Sequence, residues 1–157
     1  GFMITVFAYP LATMGWGRGA ETFPPGISWA SVAFSAVFFF LFEISYEVIY
    51  DLRDVEGDRR IGARTYPVVH GVRTARCIVD GLIAASMLAL IAGYASGALP
   101  WRMFIMIAAP IFQFIVFRRA ARRGITAGDC IRLTWLGAAQ LFVYHLWVVA
   151  GLPGVGL

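Results

Sequence analysis

An apolar run of membrane length, ending in five acids on one helix face, limits this chain more than any other feature. The run reads from Ser28 to about Tyr50, and the acids are Glu43, Glu47, Asp51, Asp54 and Asp58. Their spacings are four, four, three and four, so at about 100° per residue they fall within an arc of about 80°. Glu56, the one other acid nearby, points to the opposite side. Carboxylates gathered at a membrane boundary repel one another and resist desolvation unless something cationic sits among them. A hard divalent cation such as Mg²⁺ is the usual counter-charge for acids at an aqueous boundary. The stripe is therefore where function is expected.

Composition agrees with a membrane setting. Hydrophobic residues make up 60% of the 157, charged residues 14%, and mean hydropathy is +0.75. A soluble domain of this size needs more charge to cover its surface, so an integral membrane protein is expected, with lipid as a partner and no nucleic acid. The start, Gly1-Phe2-Met3-Ile4, is not an initiator sequence, and no signal-peptide pattern follows it. The expectation is a chain that begins inside a longer protein. Cys77 and Cys130 have neither metal nor redox spacing and read as ordinary small core residues.

Apolar runs of about 20 residues suggest five spans in an all-α polytopic bundle. The first is a stub from Phe2 to Trp16; the others are Ser28 to Tyr50, Cys77 to Leu99, Trp101 to Phe117 and Ile131 to Leu152. Turn chemistry separates them at Pro24-Pro25-Gly26, Gly97 to Pro100 and Gly124 to Gly128. Thr126 or Asp129 is placed to cap the last helix, and Pro110 to kink the fourth. Every basic residue is arginine. Arg53, Arg59, Arg60, Arg64, Arg73, Arg76, Arg118, Arg119, Arg122, Arg123 and Arg132 share one side of this topology, against Arg18 and Arg102 on the other. Eleven against two puts the acidic stripe in the cytoplasm. Gln113 and Gln140 suit hydrogen bonds between helices, His145 a packed or interfacial position, and Asp80 an (i, i+4) pair with Arg76.

From Tyr50 the chain reads YDLRDVEGDRRIGARTYPVVHG. Asp54 and Asp58 form a D-x-x-x-D pair one helical turn apart, able to hold one Mg²⁺ that also touches phosphate oxygens. Gly57 keeps the helix slim where a ligand approaches, and Arg53, Arg59, Arg60 and Arg64 add positive charge beside it. Gly62, Pro67 and Gly71 shape a structured loop over the helix end.

The run D-x-x-D-x-E-G-D followed by G-x-x-T-x-P-V-x-x-G, after a membrane span, resembles the second aspartate-rich motif of the UbiA superfamily of membrane prenyltransferases. The resemblance covers essentially the whole chain, as the C-terminal portion (residues 1–157) of one domain, about five spans of a nine-helix fold. It implies Asp54, Asp58 and Asp51 as catalytic and Mg²⁺-binding residues, with Mg²⁺ the cofactor. Arg53, Arg59, Arg64, Tyr50 and Glu47 would contact substrate, and Gly62, Thr65, Pro67 and Gly71 would form the cytoplasmic cap. The implied reaction moves an isoprenyl group from an isoprenyl diphosphate to a hydrophobic acceptor, commonly an activated aromatic ring. The wording of the motif leans toward the homogentisate, chlorophyll and archaeal-lipid branches.

One departure matters. The family's first motif, N-x-x-x-D-x-x-x-D, needs an asparagine, and this sequence contains none. The expectation is half a catalytic site: a fragment lacking the N-terminal half and inactive alone. The alternatives are a non-catalytic membrane fragment or subunit and a CDP-alcohol phosphatidyltransferase-like enzyme, although the upstream D-G-x-x-A-R of the latter is not supplied. The expected location is a bacterial or archaeal cytoplasmic membrane, with the site facing the cytoplasm.

Overall fold

The computed structural model describes residues 28–150, and all their regular structure is helical. Helix α1 runs Trp29–Ile61, α2 Tyr66–His70, α3 Val72–Ala95, α4 Trp101–Phe104, α5 Ala108–Arg123 and α6 Ala127–Val149, with a 3₁₀ turn at Ile105–Ile107 between α4 and α5. The first expected span, the Pro24-Pro25-Gly26 connection, Leu152 and the His145 side chain lie outside the described residues.

Helix α1 begins in a reciprocal cap. The Ser28 hydroxyl accepts from the Ser31 amide at 3.1 Å, and the Ser31 hydroxyl accepts from the Ser28 amide at 3.1 Å. Ser31 Oγ also donates to the Ala98 carbonyl at 2.7 Å, tying this end of α1 to the turn after α3. With 33 residues, α1 is about 50 Å long, against a hydrocarbon core of about 30 Å. Its apolar first part fills that thickness. Its last three turns, from Asp51 onward, extend beyond that length and carry most of its charged residues.

Among the described residues two helices, α1 and α3, are long and apolar enough to cross a membrane. The other expected spans are not among them: the first lies outside the described residues, and the helices from α4 to α6 do not meet that length and hydropathy. The fourth expected span is not one continuous α-helix. Pro110 lacks an amide hydrogen and its ring crowds the carbonyl of Met106, and the 3₁₀ turn that contains Met106 sits there. Apolar side chains also face outward on several helices, among them Phe40, Leu88, Phe112, Ile131 and Trp135. That surface suits lipid or further helices rather than water.

The core has two parts. Near the acidic end of α1, Val48, Ile49 and Leu52 pack with Ala75, Val79 and Ile83 of α3, Phe117 of α5, and Cys130 and Leu133 of α6. Toward the other end, Phe38, Leu90, Leu99 and Met106 form a smaller cluster. Cys130 is thus a core residue, as expected, whereas Cys77 is exposed. Inside the larger cluster, the fully buried Gln113 donates its amide to Ser45 Oγ at 2.8 Å, and Ser45 donates to the Phe42 carbonyl at 2.5 Å. This is the interhelical bond expected of Gln113. It fixes the rotation of α1, because Ser45 lies on the face away from the acids.

Thr126 and Asp129 both cap α6: the Asp129 carboxylate accepts from the Thr126 amide and hydroxyl, and the Thr126 hydroxyl accepts from the Asp129 amide. Burial alone would raise the Asp129 carboxyl. The Thr126 hydrogen bonds and the Arg123 and Arg132 charges outweigh it and hold the group below its usual range. Asp80 corrects an expectation. Its partner is Arg118 of α5, at 2.8 Å, not Arg76 one turn away. A tertiary partner on a packed neighbouring helix displaces the local one.

The chain reverses direction after α1, α3 and α5, so Arg73 and Arg122 lie at the same end of the bundle as the acidic stripe, and Ser96 at the other. In a Cys77→Ser, Cys130→Ala background, cysteines at Arg73 and Arg122 should react with an impermeant thiol reagent from one side of sealed membranes, and a cysteine at Ser96 from the other. Labelling of all three from one side would overturn this topology.

Candidate functional site

The acidic face of α1 is turned away from the α3 core, because Val48, Ile49, Leu52 and Val55 occupy the buried face. Along it the acids separate into an outer group, Asp51, Asp54 and Asp58, and an inner pair, Glu43 and Glu47.

The end of α1 folds back over the outer group. Gly62 takes the left-handed conformation (φ 72°), and the Ala63 amide returns to the Asp58 carbonyl at 2.9 Å, a glycine C-terminal motif that needs a residue without Cβ strain. The reversal brings Thr65 to Asp58, its hydroxyl donating to the carboxylate at 3.0 Å. It also brings the Tyr66 backbone amide toward Asp51, where it partly offsets the burial that raises that carboxyl. Pro67, buried in the first turn of α2, seats the loop. The expected cap over the helix end is thus present, and it grips Asp58 directly.

Arg53 holds the third. Its Nε donates to Asp54 Oδ1 at 2.6 Å and its Nη2 to Oδ2, a two-pronged pair, while its guanidinium carbon lies 5.3 Å from the centroid of the Tyr50 ring. Arg53 thereby holds the Asp54 carboxyl below the usual range. Asp51 goes the other way, raised by burial and by the neighbouring Asp58 and Glu47 charges. Arg59 and Arg64 are exposed and make no ion pair among the described residues. They surround the stripe without being locked to it.

Among the described residues no group of three or more acid, histidine or cysteine side chains converges on one point as a metal cage would. Asp51, Asp54 and Asp58 are still a fitting donor set for Mg²⁺. That ion keeps several waters and takes only one or two protein carboxylates beside substrate phosphates. What the chain offers is a row of hard oxygens at an aqueous boundary, partly pre-positioned by the cap.

The inner pair opens on a cavity of about 330 Å³ between α1, the kinked region around Met106 and Ala109, and α6. Phe39, Phe42, Met106 and Ala109 make apolar walls, Glu43 and Glu47 line one side, and Thr134, Gly137 and Ala138 face them from α6. Two tyrosines bridge α1 to α6: Tyr46 donates to the Leu133 carbonyl at 3.3 Å, and the Tyr50 hydroxyl bonds that of Thr134. Gly137 allows the first bridge, since a Cβ there would lie 3.0 Å from the Tyr46 hydroxyl oxygen. The α6 wall was not anticipated from sequence. Its signal was present as small residues at Thr134, Gly137 and Ala138, an i, i+3, i+4 pattern that lines one helix face.

The sequence pattern of the UbiA prenyltransferase family matches residues 2–136. The chain belongs to that family. This sets aside the CDP-alcohol phosphatidyltransferase alternative. Similar curated proteins are the digeranylgeranylglyceryl phosphate synthases of Methanothermobacter thermautotrophicus (36% identical over 66% of this chain and 38% of that protein) and Haloquadratum walsbyi (29% identical over 68% and 38%). That of Pyrococcus horikoshii is 34% identical over 57% of this chain and 34% of that protein. The chain thus spans well under half the length of these UbiA relatives. No solved structure matches it significantly.

The cap gives a direct test. Gly62→Ala forces a left-handed residue to carry a Cβ and should cost roughly 1–2 kcal/mol. Gly57→Ala adds a methyl that meets nothing within 4 Å in a helix interior and should stabilise by about 0.5–1 kcal/mol. Thermal unfolding in detergent should therefore move in opposite directions for the two. A shift in the same direction would mean that the cap conformation does not constrain this end of α1.

Proposed function

We propose that this chain carries the second aspartate cluster of a Mg²⁺-dependent membrane prenyltransferase, which moves an isoprenyl group from an isoprenyl diphosphate to an acceptor inside the bilayer. The observation that carries this reading is the joining of two environments on one helix. Outside the apolar span lie Asp51, Asp54 and Asp58 under a fitted cap; one turn inside lies an apolar cavity. A substrate with a charged diphosphate head and a hydrocarbon tail matches that division.

In this reading Asp54 and Asp58 hold Mg²⁺ and Asp51 supports them from one turn deeper. The ion supplies charge neutralisation for the leaving diphosphate. Arg53 leaves Asp54 for phosphate oxygens when substrate arrives, and Arg59 and Arg64 contribute from the rim as mobile cations. Phe39, Phe42 and Met106 exclude water from the carbon that becomes electron-deficient, and the Tyr46 and Tyr50 rings flank it. The arginine-rich ends of α1, α3 and α5 favour a cytoplasmic orientation. With α4–α5 and α6 as further spans and one more before α1, the chain would supply five spans of a nine-helix bundle.

An aromatic acceptor is the expectation from the motif alone. The relatives' name, digeranylgeranylglyceryl phosphate synthase, instead favours a prenyl glyceryl phosphate, and a geranylgeranyl donor with it. The acidic face of α1 remains open on the side away from the described helices. A second cluster facing it has to come from outside them, because this sequence lacks the asparagine of the first motif.

In lipid with Mg²⁺ and geranylgeranyl diphosphate, the full-length protein containing this segment should release diphosphate and prenylate its acceptor. Asp54→Ala or Asp58→Ala should lower turnover by about 100-fold or more, as loss of charge stabilisation at a leaving group does. Val55→Ala, on the buried face, should lose only packing. The 157-residue chain alone should be silent. Near-native turnover of both aspartate variants at saturating Mg²⁺ would remove these residues from the site.

A further inference from the structure

Among the described residues four acids are paired with arginines. Asp80–Arg118 joins α3 to α5, and Asp129–Arg123 ties the start of α6 to the end of α5. Glu56–Arg60 spans 3.8 Å with side chains 82% and 81% exposed, so it is a solvated surface contact. Arg53–Asp54 fits neither description. It links neighbours on one helix and so joins no two parts of the fold. Yet it is the one of the four in which the guanidinium engages both carboxylate oxygens, and its side chains are only 31% and 46% exposed.

Neighbouring helical side chains diverge by about 100°, and this pair closes with Arg53 supported on its other side. The guanidinium carbon lies 5.3 Å from the centroid of the Tyr50 ring. That ring is itself fixed. The Tyr50 hydroxyl bonds that of Thr134 on α6, and because Thr134 uses its one hydrogen on the Cys130 carbonyl at 3.0 Å, Tyr50 is the donor. Arg53 thus rests on a platform anchored across two helices, beside an aspartate that the prenyl-transfer reading gives to Mg²⁺. Asp58 differs: its partner is the neutral Thr65 hydroxyl.

With a guanidinium on both oxygens, Asp54 already has its counter-charge. It accepts a bare divalent cation only by releasing Arg53, which is then left without a carboxylate. A cation that arrives with a diphosphate removes that cost, because phosphate oxygens suit the freed guanidinium fork. Asp54 and Arg53 then exchange partners together.

We propose that Arg53 is a latch on Asp54, holding this position closed to free Mg²⁺ and opening it to Mg²⁺ together with a diphosphate. The inference rests on the prenyl-transfer reading above and deepens it by adding an order of binding. Cation and diphosphate each raise the affinity for the other. The partial exposure of the pair keeps it weak enough to open.

The test uses the full-length protein in detergent and two binding measurements rather than turnover. Affinity for Mn²⁺ alone is read from loss of the free-ion paramagnetic resonance signal, and affinity for labelled inorganic diphosphate is read at saturating Mg²⁺. Arg53→Gln should tighten Mn²⁺ alone by about threefold to fivefold, the strength of a partly exposed pair. The same variant should weaken diphosphate by about tenfold or more, as loss of a charge-assisted hydrogen bond does. Changes of opposite sign separate a latch from damage to the fold, which lowers both affinities. Arg60→Gln removes an equal charge from the same helix end and should leave both within about twofold, because exposed charges are screened. Mn²⁺ affinity unchanged or lower in Arg53→Gln would overturn the latch, as would an unchanged diphosphate affinity or an equal gain for Mn²⁺ in Arg60→Gln. If the wild type binds diphosphate and Arg53→Gln behaves like it, only this inference fails. If the wild type binds no diphosphate at saturating Mg²⁺, the prenyl-transfer reading itself fails.

Discussion

Negative charge at the edge of an apolar helix is the constraint on which the rest depends. Helix α1 carries Glu43, Glu47, Asp51, Asp54 and Asp58 on one face, and each must be solvated or neutralised. For the outer three the chain itself supplies part of what is needed: the left-handed turn at Gly62 returns the Thr65 hydroxyl to Asp58 and brings the Tyr66 amide toward Asp51, and Arg53 closes on Asp54. These contacts are modest compared with what a divalent cation gives. They hold the row in place and leave it exchangeable. The inner two, Glu43 and Glu47, have no such partner among the described residues.

Keeping the acids aimed correctly is a packing problem solved on the far side of the same helix. Val48, Ile49 and Leu52 bury against α3, and Gln113 reaches Ser45 through the core. A buried amide that loses its partner costs about 1–3 kcal/mol, so rotating α1 by even one residue, about 100°, would break that bond and expose the apolar face. Across the cavity, Tyr46 and Tyr50 pin α1 to α6 through the small surface around Gly137. The site is therefore set by three helices, although most of its chemistry resides on one.

Much of this was legible in sequence wherever a local rule decided the outcome. The four-four-three-four spacing is a property of one helix and survives any tertiary context. Pro110 breaks its helix through its own missing amide hydrogen, and Thr126 and Asp129 cap α6 by a three-residue reciprocity. The prediction failed where a distant partner wins. Asp80 and Arg76 have helical spacing, yet Arg118 of α5 takes Asp80, because packing α3 against α5 brings a guanidinium closer than the local rotamer does. The α6 wall was hidden for the same reason: Thr134, Gly137 and Ala138 look like ordinary small residues until their opposite face is known. Arg53 was one of several arginines until the structure singled it out.

In the proposed reading, a helix longer than the membrane is thick lets one element serve both ends of the reaction. The bond broken in that reading joins a group that needs water and cations to a chain that needs neither, so the scissile carbon would sit at the boundary itself. On α1 that boundary would fall between Glu47, which lines the cavity, and Asp51, beside which the cap begins. One turn separates the two. A shorter helix would leave the aspartates buried and unneutralised, whereas a polar inner face would admit the water that competes for the prenyl chain. The length of α1, the apolar walls at Phe39 and Phe42, and the change from glutamate to aspartate along one stripe are thus three consequences of the same requirement: separating charge within a single helical turn.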